Sequence, residues 1–95
     1  MRIVAITMKE AESFLSKHER HYKSPVEPIC AIAVGDGEGP NDLPEIHGAA
    51  ILGRKDWRTA ELAHIYADGS SQAYSLLYGG AWRTLKALGY EQTVL

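Results

Sequence analysis

Cysteine is almost missing from this chain. Cys30 stands alone among 95 residues, so no internal disulfide can form. Set in an apolar run, it reads as a buried small hydrophobe in a reducing compartment. Long apolar runs are missing too, and nothing approaches the roughly 20 residues of a membrane span. The opening Met1, Arg2, Ile3, Val4, Ala5, Ile6 and Thr7 have neither the length nor the flanks of a signal peptide. Charge of one sign is not in excess: 10 Lys and Arg against 12 Asp and Glu leave −2, so nothing global marks a nucleic-acid or membrane-surface binder. No nucleophile elbow, P-loop or zinc motif occurs, and the glycines of 35–39 precede no helix, so they form no dinucleotide loop. There is no repeat, linker or low-complexity segment. These absences leave one cytoplasmic domain, 1–95, able to bury a core but with little stability to spare.

What is present reads as alternating elements. Ile3, Val4 and Ile6 predict a short strand over 2–6. Thr7 followed by Glu10 fits a capping box, so a helix should run over 8–18 with Ala11, Phe14 and Leu15 inward. The polar tract 18–25 ends it at a proline. Residues 28–34 form a strand apolar on both faces and therefore central, and 35–44 form an acidic glycine- and proline-rich loop. A return strand over 45–52, a turn at 53–56 and a strand over 60–67 complete a meander. After turn residues 68–71, apolar residues at spacings of three and four (Ala73, Leu76, Leu77, Gly80, Ala81, Leu85, Leu88) predict a helix over 72–88. Gly89 should stop it, and 90–95 can be a final strand. The fold class is α+β: a mixed sheet of about five strands in the order β-α-β-β-β-α-β, with two helices packed on it. Gly79 and Gly80 together inside the second helix predict close approach of helix to sheet.

The strand–turn–helix–strand unit of 60–95 is normally a parallel crossover, and its turn aims N–H groups at a place that suits an anion. The element order resembles the front part of a GNAT-type acyltransferase, and more closely the small phage and prophage GNAT-like proteins related to the Mom DNA-modification proteins. The residues that carry the resemblance are His18, Arg20, His21 and Lys23; Ala50, Ile51, Leu52, Gly53 and Arg54; and Asp68, Gly69, Ala73, Ser75, Leu77, Tyr78, Ala81, Arg83, Ala87, Leu88, Gly89 and Tyr90. It implies an acyl-CoA whose pyrophosphate sits on Asp68, Gly69, Ser70, Ser71, Gln72 and Ala73, with its pantetheine arm where the fourth and fifth strands part. Glu61, His64 and Tyr66 would then face the acceptor, with Glu61 or His64 taking a proton from an amine. Related sequences carry a basic residue where this chain has Ser71. Family domains also continue past the fifth strand, so the resemblance implies a second copy or a partner protein closing that strand's edge.

Other residues point outward. His18 and His21 lie three apart, but no third ligand is near, so no metal is expected. Lys17, His18, Arg20, His21 and Lys23, with Tyr22, form a basic cluster suited to a nucleic acid or an acidic protein. Arg54 and Trp57 form a second candidate contact, although at least one of Trp57 and Trp82 is expected in the core. Two functions follow: a compact acyl-CoA-dependent N-acyltransferase, or a non-catalytic GNAT-derived protein binding a host or phage macromolecule, for example as an inhibitor of a host defence system.

Overall fold

The computed structural model describes residues 1–18, 27–36, 45–68 and 71–94. Its elements are β1 (Arg2–Ala5), α1 (Met8–His18), β2 (Pro28–Asp36), β3 (Glu45–Arg54), β4 (Thr59–Ala67), α2 (Ser71–Ala87) and β5 (Gln92–Val94). The five strands lie side by side in chain order. The first three pairings are antiparallel, and β5 runs parallel to β4. The mixed α+β sheet expected from the sequence is present.

Strand alternation sends neighbouring residues to opposite faces, and each face receives one helix. Ile32, Val34, Ala50 and Leu52 pack with Ala73, Leu77, Ala81 and Leu85 of α2. Val4, Ala33, Ala49 and Ile51 pack with Ala11 and Leu15 of α1. The central strands are therefore buried from both sides, which is why 28–34 reads as apolar throughout. Among the largest fully buried side chains are Leu15, Ile51, Leu52, Leu77 and Leu85, each contributing about 1.5–3 kcal/mol by leaving water.

The helix ends follow local chemistry. Glu10 donates its N–H to Thr7 Oγ1 at 3.1 Å, and Thr7 donates its N–H to Glu10 Oε1 at 3.1 Å, the predicted capping box. At the end of α2, Gly89 adopts φ 92°, a conformation costly for any residue with a side chain. The Gly89 N–H then donates to Lys86 O at 3.0 Å and the Tyr90 N–H to Leu85 O at 3.2 Å, which satisfies two carbonyls the helix leaves open.

Several expectations need correction. Gly35 and Asp36 belong to β2 rather than to the following loop, whose remaining residues, 37–44, lie outside the described ones. Leu88, in phase with the inner stripe, falls just past the last turn of α2 and is 55% exposed. Neither tryptophan is buried: Trp57 is 71% and Trp82 46% exposed. Cys30 is only half-buried, and that burial pushes its thiol pKa up. Of the two helix glycines, Gly80 alone meets the sheet, where a Cβ would come within 3.0 Å of Ile3 Cδ1.

Candidate functional site

The pairing of β4 decides how the predicted acceptor-side residues are presented. Glu61 pairs with Gly53, His64 with Ile51 and Tyr66 with Ala49. Those β3 partners alternate along the strand, so Glu61, His64 and Tyr66 share one face, the one covered by α1. Regular alternation would not do this, since Glu61 and His64 are three residues apart. A bulge makes the difference. The register shifts between Ile51 and Leu52, leaving Ala63 as an extra residue with no opposite number on β3. A bulge of this kind re-aims the side chains on either side of it.

Tyr66 is not a bare phenol on that face. The His18 ring stacks on it with centroids 4.8 Å apart and planes 13° from parallel, and Phe14 lies 4.5 Å from His18 and 6.1 Å from Tyr66. His18, expected to join a basic contact cluster, is thus drawn onto the candidate acceptor face. Its partners in that cluster, Arg20, His21 and Lys23, lie outside the described residues. Lys17 stays on the exposed side of α1, beside a groove lined by Ile6, Lys9, Phe14 and Ile46.

β5 accompanies β4 only from Thr59 to Glu61. Among the described residues, none of β5 continues the ladder beside 62–67. β4 then runs on to its end and to the first turn of α2, where Ser71 and Gln72 are exposed and Ala73 is buried. Gly69 and Ser70, also assigned to the anion, lie outside the described residues.

Asp68, just before that turn, has a definite role. Its N–H donates to His47 O at 3.0 Å, and its carboxylate lies 3.2 Å from His47 Nδ1. His47 Nε2 lies 2.7 Å from Asp36 Oδ2, and Asp36 Oδ1 lies 2.8 Å from the Met1 ammonium. The hydrogen bond to Asp36, then that to Asp68, raises the His47 pKa above its ordinary value. The Met1 ammonium, then His47, lowers that of Asp36. Both ring nitrogens donate only when the imidazole is protonated, so the charged form joins the ends of β2, β3 and β4 at the α2 mouth. Sequence reasoning missed His47, because its partners lie 11 and 21 residues away and no local pattern links them.

No family model, curated protein or solved structure matches the chain.

Arg54 and Trp57 come together at the other end of β4, in a groove shared with Ile29, Leu88, Gly89 and Tyr90. The residues assigned to macromolecular contact therefore fall in separate places, Lys17 by α1 and Arg54 with Trp57 behind the end of α2. Among the described residues, no group of His, Cys, Asp or Glu is arranged to hold a metal, and no helix is long and apolar enough to cross a membrane. Chemically, the α1 face offers a carboxylate, an imidazole and a stacked phenol. The α2 mouth offers a helix N-terminus and the Ser71 hydroxyl, which suit an anion.

Proposed function

We propose that the chain is a GNAT-like domain that transfers an acyl group from acyl-CoA to an amine. The observation that carries this reading is the bulged β4. Among the described residues β5 pairs with it no further than Glu61, it leads into the α2 N-terminus, and it places Glu61, His64 and Tyr66 on one face. An extended pantetheine arm can pair with an open strand edge. The pyrophosphate then reaches the first turn of α2 at Ser71 and Gln72. The acceptor amine attacks the thioester carbonyl, forming a C–N bond as the C–S bond breaks. Glu61 or His64 takes the amine proton, and the thiolate leaves and is protonated from solvent. Tyr66, braced by His18, orients the acceptor. A second copy or a partner protein pairing with β5 would complete the acceptor pocket.

Thermal unfolding with acetyl-CoA tests the reading. Ligand at about 100 times its Kd adds about 2.7 kcal/mol, a rise of roughly 10–20 °C for a domain of this size. Ser71→Trp at the exposed mouth should abolish that rise, and phosphate-free pantetheine should give little of it. Absence of both a shift and a calorimetric signal with acetyl-CoA refutes it.

One observation favours a second reading. The mouth of α2 carries Ser71 and, three residues earlier, the Asp68 carboxylate, where a cation would serve a pyrophosphate better. On that reading the fold is kept without catalysis and the chain binds a host or phage macromolecule, as an inhibitor of a defence system would.

A further inference from the structure

The side of α2 turned away from the sheet carries charge of one sign only. From Ser71 to Ala87 the helix holds Arg83 and Lys86 and no Asp or Glu, in a chain whose net charge is −2. The sheet side chains packed beneath it, Ile3, Ile32, Val34, Ala50 and Leu52 among them, are apolar. The carboxylates nearest along the chain, Asp68 and Glu91, lie beyond the two ends of the helix. Asp68 is 3.2 Å from His47 Nδ1, and the Glu91 N–H is turned back to Arg58 O at 3.0 Å. Among the described residues neither Arg83 nor Lys86 is in an ion pair.

Two aromatic rings stand on the same side. Tyr78 is 41% and Trp82 46% exposed, and one turn, about 6 Å, separates them along the helix axis. Lys86 Nζ lies 4.6 Å from the Trp82 ring centroid, a cation–π contact that holds the ring's orientation. A large aromatic side chain pre-set in this way loses little entropy when a partner covers it. Between the two rings in the chain comes Gly79, which shares a face with Trp82, Arg83 and Lys86 through spacings of three, four and seven. Glycine is disfavoured inside a helix relative to alanine, and nothing within the fold requires it here. A Cβ at Gly79 would miss the sheet and approach Arg83 Nη1 alone, at 3.3 Å. A glycine the fold does not need, on the outer side of a helix, lets another backbone come close. The same contact sets the Arg83 guanidinium beside that gap.

We propose that this face of α2 docks an acidic helical segment of a partner protein. Its backbone passes over Gly79, an apolar side chain covers Tyr78 and Trp82, and two carboxylates meet Arg83 and Lys86. Charge complementarity selects the occupant, since the helix has two cations and no carboxylate of its own to oppose them. A second copy is disfavoured, because a two-fold pair would set this cationic face against itself. A nucleic acid, with a charge about every 1.7 Å in the duplex, would run past two cations onto a chain of net −2. Tryptophan, tyrosine and arginine are also the residues that dominate interface centres. Trp82 lies about 16 Å along α2 from Ser71, so the proposal stands whether or not the chain binds acyl-CoA.

The test uses the full chain carrying Trp57→Phe, so that emission reports Trp82 alone, titrated with a helical peptide that has leucines on one face and glutamates beside them. The emission should change saturably. The affinity should fall about tenfold in Arg83→Glu/Lys86→Glu, and also as salt is raised from about 0.1 to 1 M, where the screening length shrinks from about 10 to 3 Å. Gly79→Ala should bind about tenfold more weakly while unfolding at a higher temperature, a split that a purely structural glycine would not give. Any of five results overturns the proposal. These are no emission change with the acidic peptide, equal binding of a lysine-bearing peptide, an affinity unmoved by Gly79→Ala, tighter binding of an oligonucleotide, or a dimer of the unliganded chain that Trp82→Glu disperses, which makes a second copy the occupant. Calorimetric titration of the unmodified chain with the acidic peptide decides the matter even if a variant misfolds, and absence of heat there overturns it.

Discussion

Gly79 and Gly80 are adjacent on α2, yet replacing each by alanine should have unlike effects. Inside a helix alanine is favoured over glycine by about 0.8–1.0 kcal/mol. At Gly79 the new methyl meets only Arg83 Nη1, at 3.3 Å, the tip of a flexible side chain that swings aside, so nearly all of that gain is kept. For a domain of this length it corresponds to a rise in Tm of about 4–8 °C. At Gly80 the methyl would lie 3.0 Å from Ile3 Cδ1 and 3.2 Å from Ile32 Cδ1, inside the comfortable carbon–carbon distance of about 3.5–4.0 Å. Ile3 is on an edge strand and can yield; Ile32 is 8% exposed and held in the main core. Either α2 retreats or Ile32 leaves its rotamer, at about 1–3 kcal/mol. Gly80→Ala should therefore lie between neutral and about 2 kcal/mol less stable, a Tm lower by up to about 16 °C. Thermal unfolding followed by far-UV circular dichroism on both variants decides it. A Gly80→Ala protein whose Tm rises as far as that of Gly79→Ala would refute the reasoning.

Leu85 and Leu88 make a similar pair, one fully buried and one 55% exposed. Leu85→Ala should cost about 2–5 kcal/mol and Leu88→Ala under about 0.5 kcal/mol in urea unfolding; equal losses would show that the helical phase is wrong. Thr7→Ala removes the cap of α1 and should cost about 0.5–2 kcal/mol, while Thr7→Ser keeps the hydroxyl and most of the stability; a loss with serine as large as with alanine would show that the cap is not the cause. His47 should titrate above the ordinary imidazole value of about 6.5 in NMR, and Asp36→Asn should move it back down. Because its pKa is raised in the folded chain, the stability it adds is complete below about 6.5 and lost as pH rises through the folded pKa. A midpoint at or below the ordinary value would exclude the bridge.

Periodicity and end signals were enough to place every strand and helix within a few residues. Thr7 and Glu10 mark the start of α1 and Gly89 the end of α2, because caps act within a single turn. Strand residues such as Ile32 and Val34 declare their burial through an apolar run that no solvent-facing strand would carry. Local rules failed at the edges of elements. Leu88 keeps the helical spacing but lies past the last packed turn, and Trp57 looks like core material until the turn that displays it is seen.

The candidate site was legible only as a list of residue types. Glu61, His64 and Tyr66 are within one strand, but their common face depends on the Ala63 bulge, which no propensity signals. The His18 stack on Tyr66 and the Asp36–His47–Asp68 bridge join elements distant in the chain. By itself, then, the sequence determined the elements, their order and their buried stripes, because those follow from side-chain period and capping within a few residues. Tertiary structure alone decided which helix covers which face, where β4 breaks step and which charged groups meet, because each depends on strand pairings between residues far apart along the chain.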